Sequence, residues 1–251
     1  MRLDLCTWME VDDYLKQSDL IIIPFGSHEQ HGPMGLIGTD TICANEIALA
    51  AANQVDLLVA PPVTYTPAPF NMGFPGTISI SEDTFEQVAM EIISGLASQG
   101  FEHFYLLNAH GANLAPLHRV ASHLAATHTQ KLRIRSWWDF DTVNQLRTAW
   151  YGDWEGMHAT PSEVAITQAT HRIVESACSV EPPKKLTSAF IKAHAGDKHG
   201  PPDQHRQQFP DGRVGSHSAL AKPEHGTALI EAAANAMIQD IRQWIDPDSA
   251  T

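Results

Sequence analysis

Soft-ligand and redox chemistry have little to work with in this chain. Its 251 residues include three cysteines, Cys6, Cys43 and Cys178, odd in number, far apart and without a C-x-x-C pair. Neither a disulfide framework nor a zinc ribbon is indicated, and a reducing cytoplasm is the expected setting. Positive charge is also scarce: 16 Lys and Arg against 29 Asp and Glu give a formal net charge of −13, with no basic stripe. Phosphate contacts need clustered Lys and Arg, so no nucleic acid and no anionic membrane is expected as a partner. No stretch approaches the ~20 apolar residues of a membrane span, and Met1-Arg2-Leu3-Asp4-Leu5 lacks an apolar signal core. Internal repeats and low-complexity tracts are missing. Gly35-x-x-Gly38 has no P-loop or G-x-G-x-x-G around it, which removes the usual nucleotide-binding motifs.

The chain is rich in histidine, with fourteen, and 43% hydrophobic residues suffice for one sizeable core. A single domain over 1–251 is expected, with a long loop region at about 182–224. Short β-rich runs alternate with amphipathic segments. Strands are expected at 19–25, 56–60, 103–108 and 132–138, and helices at 40–53, 81–98, 113–128, 161–175 and 225–245. The segment at 81–98 carries the argument in full: Ser81 can cap, Glu82 and Asp83 occupy the positive first turn, Val88, Ile92 and Leu96 recur at i+4, and Gly100 can end it. The strands are nearly continuous in apolar residues, so helices should cover both faces of the sheet. The fold class is α/β: a three-layer α/β/α sandwich around a mostly parallel sheet. Residues 61–80 and 182–224, rich in Pro and Gly, read as long loops.

Chemistry-bearing residues follow the strands, where ligands of open α/β sheets bind. After 19–25 comes Gly26-Ser27-His28-Glu29-Gln30-His31-Gly32-Pro33, closed by Thr39-Asp40. After 103–108 comes Ala109-His110-Gly111-Ala112-Asn113. A third run, Trp154-Glu155-Gly156-Met157-His158-Ala159-Thr160-Pro161-Ser162-Glu163, leads into a helix. Glu29, His31, Asp40, His110 and Glu163 make a mixed O/N set suited to Zn²⁺ or Mn²⁺, too many for one tetrahedral site and about right for two ions sharing Asp40. Other readings exist for each residue. Asp40 can cap a helix starting at Thr41, Thr160-x-x-Glu163 with Pro161 is a capping box, and His110 can be a hydrogen-bonded core histidine. His28 and His31, at i, i+3, do not form a zincin motif. A solvated or interface role is expected for the histidines at 194, 199, 205, 217 and 225, and a core or subunit-contact role for Trp137, Trp138, Trp150 and Trp154, with a substrate platform as an equal alternative for Trp154.

These motifs resemble those of the creatininase family of dinuclear-metal amidohydrolases. To them add Gly73-Phe74-Pro75-Gly76-Thr77-Ile78-Ser79 and Ala221-Lys222-Pro223-Glu224-His225-Gly226, all in family order over roughly residues 5–245. The resemblance implies a creatininase-like fold, Glu29 and His110 on one metal, His31 on the other and Asp40 bridging. It implies two divalent ions per chain, Zn and/or Mn with Fe as an alternative, and a homo-oligomer, hexameric by family resemblance. Ala112 stands where creatininase proper carries a Glu that completes the second site, and Glu163 is inferred to supply the missing carboxylate. Gly111 replaces a tyrosine that contacts substrate, and Met34 a further histidine found in many members. Trp154, Glu155 and His158 resemble the family's Trp-Asp-x-x-His substrate loop.

The expected activity is metal-dependent hydrolysis of a C–N bond in a small cyclic or linear amide, creatinine being the family precedent. A formamide hydrolase acting on a pyrimidine nucleotide and a peptidase of a cofactor precursor are alternatives within the family, and a non-catalytic metal-binding or interaction protein is the alternative outside it. Paired divalent ions bring the pKa of a shared water from 15.7 toward ~7. His158, expected to titrate near neutrality, is the candidate general acid, and Glu163 is catalytic as well as a ligand. Ser79, Gly111, Trp154 and Glu155 are candidate substrate contacts. Arg119, Lys192 and Arg213 are the cations considered for a phosphorylated substrate.

Overall fold

Four strands pair in parallel in the order β2-β1-β3-β4: β1 (Leu20–Phe25), β2 (Leu58–Val59), β3 (His103–Asn108) and β4 (Lys131–Ser136). The computed structural model describes residues 1–127 and 129–247. Alternation along the strands divides the interior in two. Leu20, Ile22, Tyr105 and Leu107 face one core, and Ile21, Ile23, Phe25, Phe104 and Leu106 face the other. Each fully buried aliphatic side chain contributes roughly 1.5–3 kcal/mol, so a one-residue slip of β1 would exchange every partner at once.

The second core is closed by α1 (Trp8–Leu15), α3 (Glu82–Ala97) and α4 (Leu114–Thr127). The first is closed by α2 (Thr39–Ala52), α5 (Asp141–Tyr151), α6 (Pro161–Thr170) and α9 (Pro223–Ile245). This is the expected three-layer α/β arrangement. All four strands fall within two residues of expectation, and α3 starts after a Ser81 cap that accepts from Thr84 N–H. Residue 128, the expected end of α4, lies outside the described residues. The helix expected over 161–175 stops at Thr170.

Four helices were not anticipated. α1 opens with a complete capping box, Thr7 and Glu10, a signal present in the sequence. α5 buries Val143 and packs Leu146 and Trp150 on the first core. The other two, α7 (Ser188–His194) and α8 (Pro202–Gln208), lie inside 182–224, so that segment is not bare loop. α9 crosses α6 closely: a Cβ at Gly226 would overlap the Ala165 carbonyl. Its Asp240 accepts from Tyr105 Oη (3.0 Å) and Arg133 Nε (3.0 Å), tying helix to sheet. Among the described residues, no helix is long and apolar enough to cross a membrane.

Candidate metal centre

The carboxyl ends of β1 and β3 lie side by side, Phe25 opposite Asn108, so the segments that follow them meet. The first loop carries Glu29 and His31, and the second carries His110. Gly26 allows α2 to close in, since a Cβ there would overlap the Thr41 backbone. α2 begins at Thr39 with Gly38 at its N-cap and no side-chain cap bond. Asp40 therefore lies in the first turn and does not cap; its carboxylate turns to the cluster.

Ligand atoms of Glu29, Asp40 and His110 all lie within 4.8 Å of one another, and so do those of His31, Asp40 and Glu163. Asp40 belongs to both of these, and Glu29, His31 and His158 form a third such group that links them. His31 Nε2 is 2.8 Å from Asp40 Oδ1, while His31 Nδ1–H donates to the Glu29 carbonyl at 3.1 Å. His110 Nε2–H donates to the Pro67 carbonyl at 2.8 Å, leaving Nδ1 3.2 Å from both Glu29 Oε1 and Asp40 Oδ2. Those two oxygens are buried with no hydrogen-bond partner. Glu29 Oε2 accepts from Asn71 Nδ2 at 2.9 Å. The backs of the ligating groups are held by backbone or amide, and their free lone pairs converge.

Glu163 forms the capping box without leaving the cluster. Its Oε2 accepts from Thr160 N–H at 2.9 Å and its own N–H donates to Thr160 Oγ1 at 3.2 Å, a full capping box, while the carboxylate remains within reach of His31 and Asp40.

The electrostatics are those of a site that holds positive charge. Burial lowers the His31 pKa, but Asp40, Glu163 and Glu29 outweigh it and hold the imidazole up at about 10. Burial raises Asp40, but His31 and His110 bring it down to about 2. Glu163 goes the other way: burial, only partly opposed by His31, lifts it to about 7. Buried carboxylate oxygens without a donor are costly. A divalent cation of the Zn or Mn type satisfies these oxygens and the imidazole lone pairs together, so the residues fit such an ion.

His158 departs from expectation. Its Nε2–H donates to the Gln30 carbonyl at 2.6 Å, and its ring lies 4.4 Å from that of His31. Burial and then the His31 charge push its pKa down to about 3. This direction is opposite to the near-neutral titration expected of it. Nδ1, 3.5 Å from Glu29 Oε1, remains an acceptor.

The centre opens into a cavity of about 330 Å³ whose walls include Gly111, Trp137, Arg147, Met157 and Asp197. Of the expected substrate contacts, only Gly111 lies there. Ser79 Oγ accepts from Ala68 N–H at 2.8 Å and braces its own loop. Trp154 packs beside His217 and under the Lys185 ammonium. Glu155 accepts from Arg147 Nε at 2.8 Å and also from Ser162 Oγ, so it positions Arg147. None of the cations considered for phosphate lines the cavity: Arg119 pairs with Glu86 on the surface, Lys192 is exposed, and Arg213 is buried against Asp211 and the Ser179 carbonyl. His28 Nδ1–H donates to the Thr64 carbonyl at 3.3 Å, and His28 stays outside the candidate ligand groups. His205 and the side chain of His199 are buried and not solvated, His205 meeting the Phe70 ring edge-on and His199 at a tilt.

Sequence reasoning missed Arg147 and Asp197. Asp197 Oδ2 is 3.7 Å from His110 Nδ1 and accepts from Ala112 N–H at 3.0 Å. Burial lifts its carboxyl to about 6, His110 opposing and Glu29 and Asp40 adding.

A parallel sheet with a buried carboxylate–imidazole cluster at its strand ends defines an α/β protein built around a metal centre. Residues 4–241 match the Creatininase model, described as creatinine amidohydrolase, and the chain belongs to that family. A crystal structure of creatinine amidohydrolase superimposes with a TM-score of 0.75 at 22% identity, covering 98% of each chain. A manganese creatininase gives 0.75 at 21% identity, covering 98% of this chain and 99% of that one. Among curated relatives, a 3-dehydro-scyllo-inosose hydrolase of Thermotoga maritima is 38% identical over 106 residues, 42% of this chain and 34% of that protein. A mycofactocin precursor peptide peptidase of Mycolicibacterium smegmatis is 36% identical over 104 residues, 39% and 42% respectively. The chain thus spans less than half the length of either curated relative.

Proposed function

We propose that this protein is a dinuclear metal-dependent hydrolase that cleaves a C–N amide bond in a small molecule. The observation that carries the reading is Asp40, whose two carboxylate oxygens serve two separate ligand groups, Glu29/His110 and His31/Glu163. When bound, two divalent ions supply an activated water and polarise the scissile carbonyl.

The chain's own residues do the rest. Pro67, the Glu29 carbonyl and Asn71 fix the tautomers and orientations of the ligating groups. His158 Nδ1 lies 3.5 Å from Glu29 Oε1 and keeps an acceptor lone pair beside the cluster. Arg147, held by Glu155 over the Trp137 ring, orients an acceptor group of the substrate from the cavity wall. The cavity volume fits a small substrate or the end of a peptide.

Creatinine is the first substrate to test, and Gly111 and Ala112 argue for looking past it, since they lack the Tyr and Glu side chains that creatininase proper carries there. The curated relatives' names add short peptides and cyclic polyol derivatives to the screen. The decisive experiment is metal per chain after reconstitution with Zn²⁺ or Mn²⁺, followed by hydrolysis assays on creatinine, other cyclic amides, formamides and short peptides. Two ions per chain with turnover of one class supports the proposal; no metal uptake would leave a binding role.

A further inference from the structure

Asp197 reaches the cavity by a route the ligand motifs do not encode. It comes from the turn between α7 and α8, where Gly196 (φ 74°) and Asp197 itself (φ 55°) both take left-handed backbone. For a non-glycine residue that conformation is uncommon and is held by its surroundings. Here those surroundings are the Ala112 N–H, donating to Oδ2 at 3.0 Å, and His199, whose Nε2 lies 4.0 Å from Oδ1 within the stack of Phe70 and His205. Gly111 makes room, because a Cβ there would overlap the Asp197 carboxylate. The side chain is 11% exposed and forms part of the cavity wall beside Glu29, Asp40 and His110. It stands outside the candidate ligand groups and is available to a molecule bound in the cavity.

Charge follows from this placement. Two divalent ions would be balanced by Glu29, Asp40, Glu163 and the hydroxide of an activated water, so Asp197 adds an unbalanced negative charge to the cavity wall. Arg147, the cation on the cavity wall, is already paired with Glu155.

We infer that Asp197 is a specificity-determining residue that selects substrates carrying an ammonium or another N–H/O–H donor next to the scissile bond and rejects those carrying an anionic group there. This rests on the dinuclear reading above. The experiment uses the full chain reconstituted with zinc, its metal content measured, and three hydroxamates that differ in charge: glycine hydroxamate (ammonium), acetohydroxamate (neutral) and malonic monohydroxamate (carboxylate). Each is titrated calorimetrically into wild type, Asp197→Asn and Gly111→Ala. The first variant removes the charge while keeping an acceptor for Ala112 N–H, and the second displaces the carboxylate without removing it.

Wild type should prefer the ammonium over the carboxylate probe by about tenfold, the scale of one partly screened charge pair. The preference should fall below about threefold in both variants. An unchanged preference in the two variants, or a wild type that favours the anionic probe, overturns the inference. Zinc-loaded wild type that binds none of the probes also overturns it while leaving the metal centre standing. Failure of wild type to take up zinc is a different result, which removes the dinuclear reading and this inference with it.

Discussion

The two candidate ligand groups that share Asp40 are built differently. Glu29 and His110 hang from the ends of adjacent strands, and their outer atoms are held by Asn71 and the Pro67 carbonyl. His31 and Glu163 come from a loop and from a helix first turn, and Glu163 also caps that helix. Their protonation differs as well. Burial lifts Glu163 to about 7, whereas Glu29 lies below its ordinary value because His110 and His158 outweigh its burial. The carboxylates raise His110 as they raise His31, so each half gives up an imidazole proton to take a cation, and the helix-borne half gives up the Glu163 proton as well.

Breaking what the halves share should have the largest effect. Asp40→Asn removes the charge common to both and should abolish uptake of both ions, read as metal per chain after reconstitution beside wild type. One ion retained would mean that the halves are independent.

Glu163→Gln should separate them. Glutamine can still accept at Thr160 N–H, so the helix should persist while the second ion is lost and the first retained. The pH dependence sharpens this contrast. In the metal-free protein, Glu163 keeps its proton up to about 7 against an ordinary 4.5, so the native state binds more protons than the unfolded state in that window. Its contribution to stability falls as pH rises through it. His31, raised to about 10, stabilises fully below its ordinary 6.5 and loses that contribution as pH rises through about 10. Metal binding displaces both protons, so the gap in Tm between loaded and metal-free protein should widen from about pH 6 to about pH 8. In Glu163→Gln the metal-free stability should lose the part of its decline that lies between about pH 4.5 and 7, while the His31 part above 6.5 remains. A Tm gap that narrows over this range would contradict the assignment.

Asn71→Ala tests the strand-borne half alone. Removing the donor to Glu29 Oε2 should weaken the first ion by about 10–100-fold and leave the second near wild type. Calorimetric titration of the metal-free protein distinguishes the two.

The difference between the halves also explains what the sequence could say. Glu29, His31, Asp40 and His110 are close in sequence to the strand ends that carry them, so a motif read after an apolar run was enough. The sheet was legible for the same reason: Ile21–Ile23 and Phe104–Leu107 have no other home than a core. Glu163 was half legible, because a capping box and a ligand leave the same trace. Asp197 left none. It lies 87 residues beyond His110 in a Pro/Gly-rich segment, and its place depends on two short helices and a left-handed turn. Arg147 lay hidden on α5, a helix without a side-chain cap. The protonation of His158 was illegible on principle, since it follows from burial and from a neighbouring ring that only the fold brings to 4.4 Å.

The smallest effect should come from Thr160→Ala. Thr160 Oγ1 accepts from Glu163 N–H, and losing an N-cap costs about 1 kcal/mol of stability. The backbone N–H of Thr160 still donates to Glu163 Oε2, so the carboxylate keeps one of its two tethers. Stability should therefore drop by the cap alone, with a few degrees lost in Tm, and the affinity for the second ion should fall only several-fold. If Thr160→Ala instead released the second ion as completely as Glu163→Gln, the cap and not the carboxylate would be what builds the helix-borne half, and the difference between the two halves would be one of helix stability, not of ligand charge.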